Sequence, residues 1–162
     1  MNLIELIGRF HPVLVHLPIG IFVLVIVMDG LTRFDKFAYL SGSIRLILGI
    51  GILSAILSLV TGYTLSLEGI NNQDLVDNHQ WTAIGTTALF TAYFFLRQKL
   101  MAKRLAHTYS LLLLLVLLAW TGHQGGSLTH GDGFLTEVIL ETKTITEASL
   151  DIKDINQAVV YK

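Results

Sequence analysis

Six histidines lie in this chain, and they are the side chains best equipped to do chemistry in so apolar a sequence. His11 and His16 open the first apolar run, His79 opens the third and His123 closes the fourth. His130 follows in the glycine-rich stretch His123-Gln124-Gly125-Gly126-Ser127-Leu128-Thr129-His130-Gly131. Only His107 stands apart, about 24 Å from His123 at helical rise. Ionisable groups at membrane depth are functional candidates by default. Two chemistries use neutral imidazoles from separate helices. Haem iron takes axial histidines from facing helices, with small residues making room for the ring. Copper or zinc needs three or four imidazoles converging within about 2 Å of one ion.

The leading expectation is a b-type haem with His16, His79 and His123 as ligands. His11 and His130 then serve a second haem or support the first. The alternative uses the same five imidazoles for copper or zinc, with Asp74, Asp77 and Asp132 as carboxylates for a harder ion. No HExxH and no i,i+4 histidine pair fixes such a site. His11 and His16 are five residues apart, about 140° around a regular helix, so one ion cannot take both. A third reading makes the histidines interfacial and the protein an anchor for a periplasmic partner. No Gly-x-Ser-x-Gly elbow is present, so an electron-transfer component is expected rather than a stand-alone enzyme.

Apolar helices must position these groups. Of 162 residues, 52% are hydrophobic and 14% charged, with a mean hydropathy of +0.64. That balance belongs in lipid. Four spans are expected, at about Pro12–Met28, Ile44–Leu67, His79–Leu96 and His107–Gly122, each long enough for roughly 30 Å of hydrocarbon. Pro12 suits a first helical turn, whereas Pro18 removes a hydrogen bond and predicts a kink near His16. In the second span Gly51, Ala55, Ser58 and Gly62 share one face, and Gly85, Ala88 and Ala92 do so in the third. Tight helix packing explains such a stripe, and a flat macrocycle lying against it is the other reading. Arg9 is a candidate partner for a haem propionate or an interfacial anchor, and Trp81 and Trp120 read as aromatic-belt residues.

Lysine and arginine set the orientation. Arg33, Lys36 and Arg45 cluster at the first turn and Arg97, Lys99, Lys103 and Arg104 at the third, while Glu68–Asn78 has neither residue type. The basic turns are cytoplasmic by the positive-inside rule. The expected fold is therefore an all-α membrane protein, an antiparallel four-transmembrane-helix bundle with both termini on the periplasmic side of a bacterial inner membrane. Residues 1–133 form the membrane domain and 134–162 an acidic periplasmic tail or linker. The start lacks a basic cluster and a cleavage site, so it reads as a retained helix and not a signal peptide. The sequence has no cysteine, hence no disulfide, thiolate metal site or CxxCH haem attachment. A net charge of -1 gives no reason to expect nucleic acid. His107, alone at the inner end, argues against a second haem there, so electrons would be exchanged on the outer side with a quinol or a periplasmic carrier.

The stretches Phe10-His11-Pro12-Val13-Leu14-Val15-His16-Leu17-Pro18-Ile19-Gly20 and Thr121-Gly122-His123 through Gly131, with His79 between them, resemble the DUF2231 family of bacterial membrane proteins. The resemblance covers about residues 8–133. It implies a four-span membrane domain of unassigned function with histidines matching His11, His16, His79, His123 and His130. Some relatives carry a periplasmic c-type cytochrome domain after the membrane part, and the tail through Lys162 is similar to the approach to one. This chain contains no CxxCH, so a cytochrome partner would be separate or lie further on. The haem reading gains from that context by analogy alone.

Overall fold

A computed structural model describes residues 2–69, 72–131 and 133. The expected tail, 134–162, and Asp132 lie outside the described residues. Among the described residues all regular structure is helical. Six α-helices follow in order: α1 (Leu3–Arg9), α2 (His11–Leu14), α3 (His16–Leu31), α4 (Ser41–Ser66), α5 (Gln73–Met101) and α6 (Arg104–His130), with a 3-10 helix at Asp35–Leu40. Met1–Gly125 is one compact unit and Gly126–Lys162 a second.

The first apolar run is one helical stretch broken twice. Asn2 caps α1 through a reciprocal capping box with Glu5. Pro12 falls early in α2. The helix breaks at Val15, and α3 restarts at His16 with Pro18 in its first turn. The break falls three residues before Pro18, whose missing N–H cannot donate to the Leu14 carbonyl, in line with the distortion expected near His16.

Three stretches are long and apolar enough to cross a bilayer: Leu3–Leu31, Asp35–Ser66 and Arg104–His130. Helix α5 is 29 residues long but too polar to join them on composition. Two helix limits differ from expectation. The connection Glu68–Asn78 is mostly helix, because Asn72 caps Leu75 N–H and Asp74 lies in the first turn of α5. Helix α6 also runs through the glycine-rich stretch to His130.

The core is built from Phe22 and Val25 on α3, Ile44, Leu48 and Ala55 on α4, Phe90 and Tyr93 on α5, and Leu111, Leu114 and Leu118 on α6. Phe22 and Phe90 stack face to face with centroids 3.8 Å apart. Glycines set the closest approaches. A Cβ on Gly51 would stand 2.7 Å from Ile21 and 2.9 Å from Phe22, and one on Gly8 would stand 2.8 Å from the Leu65 backbone. The α4 stripe is therefore filled by protein on its Gly51 side. Gly85 meets nothing within 4 Å, and Ala88 and Ala92 are exposed, so the α5 stripe faces outward.

Candidate functional site

Two polar sites lie at opposite ends of the unit Met1–Gly125. The first gathers histidines. His11, half-buried on α2, places Nδ1 2.9 Å from the Ser58 carbonyl of α4, with the hydroxyls of Thr61 and Ser58 at 3.4 and 3.5 Å. Its ring lies against Gly62, where a Cβ would come within 2.9 Å of Cε1. So Ser58 and Gly62, read as a packing stripe or as the bed of a macrocycle, seat an imidazole. When Nδ1–H donates to a carbonyl, Nε2 keeps its lone pair.

His79, half-buried near the start of α5, lies close to the Thr121 backbone of α6, and a Cβ on Gly125 of α6 would stand 3.0 Å from its Cε1. Among the described residues its buried Nδ1 meets no hydrogen-bond partner. The His11 and His79 rings are close enough that charge on one bears on the other. Around them Thr82 donates 2.5 Å to the Gln124 amide oxygen, and the Thr86 and Thr121 hydroxyls pair at 2.9 Å.

The other predicted ligands are placed differently. His16 is exposed, with Nδ1 2.5 Å from the Pro12 carbonyl of its own segment. His123 is exposed on α6 beside Trp120, ring centroids 6.0 Å apart. His130 is exposed in the last turn of α6. Of the predicted ligands, His11, and not His16 or His123, lies near enough to bear electrostatically on His79. Arg9 forms an ion pair with Glu68 at 3.7 Å, and Trp81 and Trp120 are exposed as belt residues would be. Among the described residues no three His, Cys, Asp or Glu side chains gather closely enough to hold a metal ion.

The second site was not foreseen as one. Asp29, at the end of α3, is fully buried. Arg97 of α5 grips it with two bonds, Nε to Oδ2 at 2.8 Å and Nη2 to Oδ1 at 2.6 Å, and gives a third to Ser41 of α4 at 3.1 Å. The Tyr93 hydroxyl donates to the same carboxylate and lies 3.0 Å from Nε2 of His107. Arg33 reaches Nδ1 of His107 at 3.3 Å. One network thus joins the ends of α3 and α5 to the starts of α4 and α6. The sequence offers only a partial signal, Tyr93 and Arg97 four apart on one helical face.

A family profile described as a predicted membrane protein, DUF2231, matches residues 9–137. No curated protein matches the chain, and no solved structure does.

Proposed function

The chain belongs to the DUF2231 family of predicted membrane proteins, and from that premise we propose that it is an electron-transfer module holding b-type haem near the His11 end. The observation that carries this reading is the buried Nδ1 of His79, which meets no hydrogen-bond partner among the described residues while His11 bears on the ring electrostatically. A buried polar atom without a partner costs about 1–3 kcal/mol, and a ligand that uses its lone pair removes that cost. His11 supports the same use, since the Ser58 carbonyl holds its Nδ1 and leaves Nε2 unspent. Two imidazoles from two helices satisfy haem iron. A closed copper or zinc site asks for three or more donors, which do not gather among the described residues. When bound, haem supplies one-electron transfer at its iron. The residues around it orient the imidazoles and exclude water. A quinol or a periplasmic carrier such as a c-type cytochrome would exchange the electron.

In this reading α5 is the fourth span of an antiparallel bundle. Its 29 residues are long enough, and its ionisable groups Tyr93 and Arg97 turn inward onto Asp29. Apolar side chains such as Leu89, Phe95 and Leu96 remain on its exposed surface. The Asp29 network lies at the basic turns, on the cytoplasmic side by the positive-inside rule, and His11 and His79 lie toward the periplasm with both termini. The site is tested by haem content. His11→Ala and His79→Ala should each lose most of the haem, while His123→Ala should retain it. Equal retention in all three variants would remove this pair as ligands.

A further inference from the structure

The helix ends at the basic turns line a half-open cavity of about 540 Å³ between the start of α4 and the end of α5. Ser41, Arg45, Arg97 and Gln98 give it a polar wall, and Leu48, Phe94 and Phe95 an apolar one. Among the described residues no Asp or Glu lines it. The two arginines differ in their surroundings. Arg97 is nine-tenths buried and its charge is matched by Asp29. Arg45 is exposed, its guanidinium lies 5.0 Å over the Phe94 ring, and among the described residues it pairs with no carboxylate. The cavity therefore carries uncompensated positive charge. Phe95 of its apolar wall is itself exposed at the surface of α5.

We propose that this cavity seats the headgroup of an anionic phospholipid, its phosphate held by Arg45 and Arg97 and its acyl chains lying along α4 and α5. Guanidinium matches phosphate in geometry as well as charge. Basic pockets between membrane helices hold anionic headgroups by this combination. The apolar wall favours a lipid over a free anion, which would have no use for Leu48, Phe94 and exposed Phe95. The proposal does not depend on haem.

The test is native mass spectrometry of the whole purified protein with phosphatidylglycerol, phosphatidylcholine or inorganic phosphate. Phosphatidylglycerol should be retained and phosphatidylcholine lost. Arg45→Gln leaves the Asp29–Arg97 pair in place and should weaken phosphatidylglycerol retention about fivefold, the size of one basic contact near a headgroup. Arg45→Lys should keep most of the retention, and Lys103→Gln, in the neighbouring turn, should change it less than twofold. Equal retention of the two lipids, an equal loss in Lys103→Gln, or phosphate binding as tightly as phosphatidylglycerol would overturn the proposal.

Discussion

His11 shows how one residue's role depends on what its neighbours lack. Its ring occupies the space that a side chain on Gly62 would fill, and its Nδ1 reaches Ser58 one turn away. Gly62→Ala should therefore push the ring off the Ser58 carbonyl and cost about 1–3 kcal/mol by overpacking. Gly85→Ala, which adds a methyl group where nothing lies within 4 Å, should be neutral or mildly stabilising. Denaturation of the two variants in detergent checks the contrast, and equal effects would deny that Gly62 is spared for His11. The histidines were legible in the sequence as residue types at helix ends. Their pairing was not, because the direction of each ring depends on the break at Val15 and on which glycine it meets. His16 is one residue beyond that break and bonds within its own segment.

At the scale of elements, the Asp29 network fastens four helix ends together without a disulfide. Asp29→Asn weakens the grip on Arg97 and leaves a buried guanidinium unpaired, which should cost about 3–5 kcal/mol. The double replacement Asp29→Leu with Arg97→Met removes both charges and should cost less than Asp29→Asn alone. Melting temperatures of the single and double variants separate the outcomes. A double variant worse than the single would mean that the pair itself, and not the unpaired charge, is what stabilises the fold. The spans containing α3, α4 and α6 were legible from hydropathy. The network was not, because Asp29 and Arg97 at the ends of apolar runs read as solvated cap and loop charges. Both are drawn inward by helices that sequence spacing does not place side by side.

Across the whole molecule, polarity divides the two ends: basic turns with the Asp29 network at one, His11 and His79 at the other. The absence of cysteine allows single-cysteine labelling to test the orientation. Gln73→Cys should react with a membrane-impermeant maleimide on intact cells, and Lys103→Cys only after permeabilisation. The reverse pattern would invert the proposed topology while leaving the two sites intact. The small-residue stripes show why the haem could not be placed from sequence alone. The α4 stripe accommodates Ile21, Phe22 and His11, and the α5 stripe faces outward. The central claim therefore rests on the two imidazoles. It is tested most directly by the absorbance spectrum of the purified protein before and after dithionite. A Soret band that shifts on reduction and is lost in His79→Ala is expected. A protein that is colourless as isolated and gains no such band when haem is supplied would contradict the claim.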